Sequence, residues 1–236
     1  MTRRLENSMP IQVSKRSARR GTRRTTRSPA RLETAEQRRE RIVRLTWPLF
    51  LKKGYDNVSI DDIIGLVGGS KATIYAWFGG KEGLFEAVVR QKCEDVVLAI
   101  HTNTTGSLEA QLIEIGRSFL AMVLSQPILE FHRLMVSIGR KFPETGRLFY
   151  QTGPAAAYTI VAAWIAKQQA AGRIDKDDPN RLAVLFLDML IGEQQLSALT
   201  GMVRGPRQEK IDDTVRLAVK VFLRGCAAPA ESEQSP

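Results

Sequence analysis

The sequence predicts an all-α fold. Apolar residues recur at helical spacing in most of the chain, for example at Ile42, Leu45 and Leu49, and no segment alternates apolar and polar residues as a half-buried strand does. Helix start signals, such as Ser or Asp caps and Pro at the first helical position, alternate with Gly stop signals. With 236 residues, 43% of them apolar, the chain can form one or two domains with a buried core.

Four helices are predicted in the N-terminal part, at about residues 34–53, 60–67, 70–78 and 81–102. Residues 34–37, Thr-Ala-Glu-Gln, have the pattern of a capping box, and Gly54 ends the first helix. Pro48 removes a backbone donor inside that helix, so we expect a local kink. Ser59 and Ser70 cap the second and third helices, and a pair of glycines forms the turn between them.

Six more helices are predicted in the remainder, at about residues 108–125, 127–140, 143–151, 154–171, 179–199 and 207–224. Ser107 can cap the first of these, and four of the others begin at a proline. Asp178-Pro179 is a strong start signal, because a capping carboxylate precedes a proline at the first helical position.

Composition excludes several classes of protein. The sequence has no run of 18 apolar residues, so no membrane-spanning helix is predicted. The N-terminus lacks the apolar stretch of a signal peptide, so we expect a cytoplasmic protein without membrane contact. Cys93 and Cys226 are far apart and form no metal or redox motif, so no cofactor or metal is expected.

The segment 70–78 suggests a function. A short helix with hydroxyl groups and a cation in its first turns suits the major groove of DNA. The Ser70 and Thr73 hydroxyls, together with the free amides of the helix N-terminus, favour a phosphate. Lys71 can reach a phosphate or a base edge, and the small Ala72 permits close approach to a thymine methyl.

Two further residues extend this candidate surface. Tyr75 lies one turn after Lys71 on the same face, which places its hydroxyl at the DNA backbone, and Lys81 can bind a phosphate from the next helix. Taken singly, Ser70 is an ordinary helix cap and Tyr75 an ordinary half-buried core residue. The combination at these spacings favours DNA binding.

These residues also carry a family resemblance, which covers about residues 38–88. The matching positions are Gly54-Tyr55, Ser59-Ile60, Asp62-Ile63, Gly68, Ser70-Lys71, Thr73-Ile74-Tyr75, Phe78, Lys81-Glu82 and Leu84-Phe85. Together they resemble the DNA-binding signature of TetR-family transcriptional regulators. The resemblance implies a helix-turn-helix, a homodimer, and a helical C-terminal domain that binds a small molecule. It also implies phosphate contacts by Ser59, Lys71, Thr73, Tyr75 and Lys81, with Ser70, Lys71 and Ala72 nearest the bases.

The sequence departs from that signature in the turn and the core. Ile64 and Val67 replace the usual alanines, Gly69 replaces a usual apolar residue, and Trp77 stands where histidine or another aromatic is common. The first three changes predict a repacked core and a looser turn. A second resemblance, from Phe131-His132-Arg133-Leu134 to the turn at residues 172–174, is to the C-terminal domain of AefR-like regulators.

The basic charge lies mostly in one segment. Residues 1–32 contain ten Lys or Arg and one acidic residue, Glu6, so they account for nine of the ten net positive charges. The segment lacks apolar periodicity, which predicts a disordered arm. We expect the arm to enter an adjacent minor groove, where the negative potential attracts arginine. The alternatives are a solvated tail, or a translation start further along the chain, such as Met9.

The sequence therefore predicts four parts: an Arg-rich arm at 1–33, a three-helix helix-turn-helix DNA-binding domain at 34–88, a helical effector-binding and dimerisation domain at 89–225, and a flexible tail at 226–236. The predicted function is that of a ligand-responsive homodimeric repressor, released from a palindromic operator by an effector. One alternative is a nucleoid-coating protein, which the near-neutral body disfavours. Another is an all-helical enzyme, for which no catalytic motif was found.

An effector pocket is predicted in the C-terminal domain, with an apolar or amphipathic small molecule as its ligand. Its candidate residues combine aromatic rings, adaptable methionine and polar groups. They are Met122, Phe131, His132, Phe149, Tyr150, Tyr158, Trp164 and Gln194. A structural role in the core is the competing interpretation for each of them. The alanine-rich helix at 154–171 and the helix at 179–199 are the predicted dimer seam.

Overall fold

A computed structural model of the protein describes residues 33–102, 105–203 and 207–226, and the described residues form ten helices without a strand. The all-α prediction is confirmed. The helices are α1 (Ala35–Lys53), α2 (Ile60–Val67), α3 (Lys71–Phe78), α4 (Lys81–Leu98), α5 (Leu108–Val123), α6 (Gln126–Ile138), α7 (Pro143–Thr152), α8 (Pro154–Ala170), α9 (Pro179–Leu199) and α10 (Gln208–Cys226). The predicted arm, apart from Glu33, and residues 227–236 of the predicted tail lie outside the described residues.

Local capping bonds fix the start of α2 and α3. The Ser59 hydroxyl accepts from the Asp62 amide at 3.0 Å, while the Ser59 amide donates to the Asp62 carboxylate at 2.9 Å, which is a complete capping box. The Ser70 hydroxyl accepts from the Thr73 amide at 3.2 Å. These two caps were predicted and are confirmed. Helix α1 continues through Pro48 without a break and ends before Gly54, as predicted.

Two helices differ from the prediction. Helix α4 was expected to reach about Thr102 but ends at Leu98. The chain turns there because Ile100 is buried among later helices, in a core separate from the one that contains the buried residues of α4, and the His101 amide donates to the Ser118 hydroxyl. Helix α9 has the predicted bounds, but its backbone leaves helical geometry at Gly192, where φ is −6° and ψ is −105°.

The described helices pack around two hydrophobic cores. The C-terminal core is formed mainly by α5, α8, α9 and α10, with Phe186 and Leu112 among its fully buried side chains. The N-terminal core is formed by α1 to α4, and it also contains Phe131, Met135 and Ile138 of α6. Helix α6 is therefore part of the hydrophobic core of the N-terminal helices, although the chain reaches it only after α5.

By length and composition, α9 could cross a membrane, since its most apolar stretch of 18 residues has a mean hydropathy of 1.4. Helices α5 and α6 taken together are also long and apolar enough, with a bend of 64° between them. A core helix of a globular protein passes this test equally well. In this fold, α9 packs against α5, α6, α8 and α10.

Candidate nucleic-acid interface and ligand cavity

Helix α3 divides into a buried face and an exposed polar edge. Ile74 and Phe78 are buried in the N-terminal core with 1% and 8% of their surface exposed, whereas Tyr75 is 56% exposed. Ser70, Lys71 and Ala72 are also exposed, and Thr73 is partly so. The buried apolar residues thus fix the helix against the N-terminal core, while five of the predicted contact residues near its start stay accessible to solvent in full or in part.

Lys71 is paired within the protein. Its ammonium lies 2.9 Å from the carboxylate of Asp61 in α2, and both side chains are exposed to solvent. An exposed ion pair of this kind contributes only about 0–1 kcal/mol, so a stronger anion can displace Asp61. The sequence-based interpretation did not include Asp61 in this surface.

The other two predicted contact residues, Ser59 and Lys81, make hydrogen bonds within the protein. The Ser59 hydroxyl is engaged twice with Asp62 in the capping box. The Lys81 ammonium donates to the Tyr55 carbonyl at 3.0 Å and lies 4.4 Å from the centre of the Tyr55 ring. These two contacts of Lys81 join the start of α4 to the segment that precedes α2. Burial raises the pKa of Tyr55, and the negative charges of nearby acidic residues such as Glu82 raise it further.

Arginines of α1 border the same surface. The Arg38 guanidinium lies 5.8 Å from the Trp77 ring centre, and that of Arg39 lies 5.1 Å from the Phe78 ring centre. A side chain at Gly69 would bring its Cβ to 3.0 Å from Arg38, and its φ of +99° also disfavours other residues. The glycine at this atypical position thus makes room for an arginine. Sequence reasoning missed both arginines, although their place in the first turns of α1 was a usable signal.

A cavity of about 370 Å³ lies where helices α4 to α9 meet. Its wall includes six of the eight predicted pocket residues: Met122, Phe131, His132, Phe149, Tyr150 and Tyr158. Among the residues that sequence reasoning missed are Cys93, Val96, Phe119, Ile191 and Gln195. The volume is within the range of small-molecule sites, about 300–1,000 Å³.

Two predicted pocket residues lie elsewhere. Trp164 is buried in the C-terminal core at 5% exposure. Gln194 points to α10, where its amide donates to the Thr214 hydroxyl. The neighbouring Gln195 lines the cavity instead, because adjacent residues of a helix point in directions about 100° apart.

Three side chains of the cavity have pKa values shifted toward their neutral forms. Burial lowers the pKa of His132 and raises that of the Cys93 thiol to about 11. Burial, and then a hydrogen bond to Asp188, raises the pKa of Tyr158 to about 12. The Tyr158 hydroxyl donates to the Asp188 carboxylate at 2.9 Å. At neutral pH the imidazole, the thiol and the phenol are therefore all uncharged.

Aromatic contacts connect the cavity with the N-terminal core. Phe149 and Phe131 line the cavity and meet edge to face, with ring centres 5.3 Å apart. Phe131 meets Trp47 of α1 in the same way at 5.0 Å. A side chain of the cavity wall thus contacts a helix that supports α3, since α1 packs on α2 and α4 and α3 packs on both of these.

A helix-turn-helix unit carried on a helical domain defines a class of bacterial DNA-binding regulators. The family model for bacterial regulatory proteins of the tetR family matches residues 42–88, and that for the C-terminal domain of AefR-like transcriptional repressors matches residues 110–227. The chain belongs to the TetR family of transcriptional regulators, whose members are generally non-enzymatic DNA-binding proteins.

Solved structures agree with this assignment. The flavonoid-responsive regulator FrrA is 30% identical with a TM-score of 0.74, and a TetR-family regulator from Mesorhizobium loti MAFF303099 is 26% identical with a TM-score of 0.77. Each alignment covers 83% of this chain and 100% of the other. A TetR-family regulator from Pseudomonas syringae pv. tomato DC3000, at 23% identity and a TM-score of 0.63, shares the fold. A comparison with curated protein sequences gave no match.

Proposed function

We propose that this protein is a homodimeric transcriptional repressor of the bacterial cytoplasm, which binds a palindromic DNA operator and is released from it by a small molecule. The observation that carries the proposal is the exposed polar edge of α3, held outward by buried Ile74 and Phe78. A helix presented in this way fits the major groove, with its first residues at the base edges.

The DNA contacts fall into two groups in this proposal. Ser70, Lys71 and Ala72 lie nearest the bases. Lys71 also contacts a phosphate, as do Thr73 and Tyr75 through their hydroxyls. Ser59 and Lys81 contact phosphates at the border of this surface. The Ser59 hydroxyl and the Lys81 ammonium that make these contacts also donate hydrogen bonds to Asp62 and to the Tyr55 carbonyl, respectively.

The proposed dimer seam is formed by α8 and α9. On α9, Leu185 and Leu196 are 59% and 64% exposed, and Met189 lies between them on the same face. Exposed alanines of α8, such as Ala163 and Ala166, permit close approach of a second copy. An apolar stripe of this kind supports a self-complementary interface around a twofold axis, and the same axis makes the operator palindromic.

The proposed release depends on the position of the cavity between the two cores. Phe119 on one wall belongs to the C-terminal core, and Cys93, Phe131 and Phe149 on the other wall pack in or against the N-terminal core. A ligand between these walls favours an arrangement in which α6 moves with α1, because Phe131 is packed on Trp47. The dimer then no longer holds its two α3 helices about one DNA turn apart.

The proposed effector is an apolar or amphipathic small molecule. Most of the cavity wall is aliphatic or aromatic, which supports this class. FrrA, by its name, responds to flavonoids, and its similarity to this chain supports a small organic compound as the signal here as well.

The DNA-binding part of the proposal can be tested by selecting bound sequences from random DNA and footprinting the enriched site. We expect protection of one palindrome, and its loss in the double variant Lys71→Met/Tyr75→Phe but not in Lys176→Met, which changes an exposed lysine between α8 and α9. Uniform protection without a preferred sequence would support the nucleoid-coating alternative instead.

The dimer can be tested separately by sedimentation. Leu185→Glu places a charge in the proposed seam and should produce monomers, because an unpaired buried charge is strongly unfavourable. Val136→Glu changes an equally exposed apolar residue of α6 outside the seam and should leave the dimer intact. A monomeric parent protein, or a dimer that tolerates Leu185→Glu, would contradict the proposed seam.

A further inference from the structure

The polar groups of the cavity define the chemistry of its ligand more closely than its volume does. Among the described residues, its wall contains no Lys, Arg, Asp or Glu side chain. An ion that entered would lose its hydration without meeting an opposite charge there, which is strongly unfavourable. The cavity therefore selects against ionised compounds.

Three polar side chains of the wall have no hydrogen-bond partner among the described residues. They are His132, Tyr150 and Gln195. Tyr150 is 57% exposed to solvent, whereas His132 and Gln195 are partly buried, with the His132 ring 5.8 Å from the Phe149 ring between centres. Neutral imidazole and the Gln195 amide each offer both a donor and an acceptor. A purely apolar ligand would leave these two partly buried groups without a hydrogen-bond partner, which is unfavourable.

Tyr158 differs from these three because its proton is already committed. Its hydroxyl donates to the exposed carboxylate of Asp188 at 2.9 Å, so any further hydrogen bond that the Tyr158 oxygen makes must be one that it accepts. A ligand that pairs with it must supply an O–H or N–H group. Beside it, the edge-to-face rings of Phe131 and Phe149 form an aromatic wall on which a flat ring can pack.

We infer that the cavity binds an uncharged aromatic compound that carries a hydroxyl group, with the hydroxyl donating to Tyr158 and the ring packed beside Phe131 and Phe149. This inference builds on the proposed function, since it specifies the effector of the same cavity. It adds a requirement for neutrality and a direction for one hydrogen bond.

Four naphthalene compounds of similar size test the inference by isothermal titration calorimetry at pH 7.5 on the full chain without DNA. They are 2-naphthol, 2-methoxynaphthalene, 2-naphthoate and 2-naphthylmethylammonium. We expect 2-naphthol to bind about 5- to 10-fold more tightly than its methyl ether, which cannot donate. The anion and the cation should bind at least about 10-fold more weakly than 2-naphthol.

Two variants locate the contact. Tyr158→Phe keeps the ring and removes the acceptor, so the affinity for 2-naphthol should fall to that for the methyl ether, whose own affinity should hardly change. Tyr55→Phe is the matched control and should leave both affinities unchanged, because Tyr55 lies in the N-terminal core outside the cavity wall and its contacts with Lys81 use the carbonyl and the ring, which phenylalanine keeps. An equal loss for both compounds in Tyr158→Phe, tighter binding of either ion, or no binding of any of the four would overturn the inference.

Operator binding measured with the same compounds separates this inference from the proposed function. If 2-naphthol binds as expected but leaves operator affinity unchanged, the ligand class stands and the role of the cavity in release fails. If an ionised compound releases the operator and 2-naphthol does not bind, the regulator stands and the inferred ligand class fails.

Discussion

Replacing Lys71 by methionine is expected to weaken operator binding and to reduce its salt dependence. Each subunit presents one Lys71, so a dimer makes two phosphate contacts through this residue, and each contact contributes about 0.9 to the slope of log affinity against log salt. The slope should therefore fall by about 1.8. Between roughly 50 and 200 mM salt, the variant should lose about tenfold less affinity than the parent.

The ion pair with Asp61 limits the loss of affinity at any one salt concentration. Binding to DNA must break this exposed pair, which opposes the phosphate contact by about 0–1 kcal/mol per subunit. Lys71 should thus contribute less affinity than an unpaired lysine, while its counterion release stays the same. The slope is consequently the more sensitive measurement.

Fluorescence anisotropy with a labelled operator duplex measures this slope directly. Methionine keeps the length and helix propensity of lysine, and circular dichroism checks that the helices remain. Lys176→Met removes one charge from the loop before α9 and serves as the control for net charge. An unchanged slope in Lys71→Met, or an equal change in Lys176→Met, would refute the assignment of Lys71 to a phosphate.

Three other perturbations have defined expectations. Asp61→Asn removes the carboxylate that competes for Lys71, so operator affinity should rise about 2- to 5-fold, as measured by the same anisotropy assay; a decrease would contradict this arrangement. Deleting residues 1–32 should weaken binding and flatten the salt slope, because fewer counterions are released, and equal slopes would exclude a groove-bound arm. Burial places the pKa of His132 below its ordinary value of 6.5, so the unfolded chain takes up a proton first as the pH falls. Urea unfolding at pH 7.5 and 5.5 should therefore show a stability loss that is smaller in His132→Phe, and an equal loss in both proteins would exclude this contribution.

The features that sequence predicted well are those fixed by local bonds. The Ser59 and Asp62 capping box closes within four residues, and Asp178 caps α9 through the amide of Asn180 at 2.9 Å. Such starts depend on the neighbouring residues alone, so a start signal in the sequence is nearly sufficient. The exposed edge of α3 followed for a similar reason, because Ile74 and Phe78 mark its buried face at a spacing of one helical turn.

The features that sequence could not predict depend on distant contacts. Helix α4 ends early because Ile100 joins a core built by helices later in the chain. Trp164 and Gln194 have the composition expected of a ligand site, but their neighbours are decided by the packing of α8, α9 and α10. Asp61 entered the candidate DNA surface only through a pairing between α2 and α3.

Helix α6 is one of the elements that join the cavity to the N-terminal core. On the N-terminal side, Phe131 packs on Trp47, and just after the end of α6 Lys141 pairs with Asp56 at 2.6 Å. Toward the C-terminal core, Arg133 donates to the Leu199 and Ala198 carbonyls at 3.0 and 2.6 Å, at the C-terminal end of α9 where a cation is favoured.

These two sets of contacts allow an estimate of the free energy that the proposed release from the operator requires. Since α6 also has Leu129 buried in the C-terminal core, we expect a small shift of α6 at the cavity to break the polar bonds of Arg133 first. Breaking two such bonds, which water then replaces, costs on the order of 1–3 kcal/mol. A tenfold change in operator affinity needs only about 1.4 kcal/mol of differential ligand binding, so in the proposed mechanism one small ligand that binds the released arrangement more tightly would be sufficient.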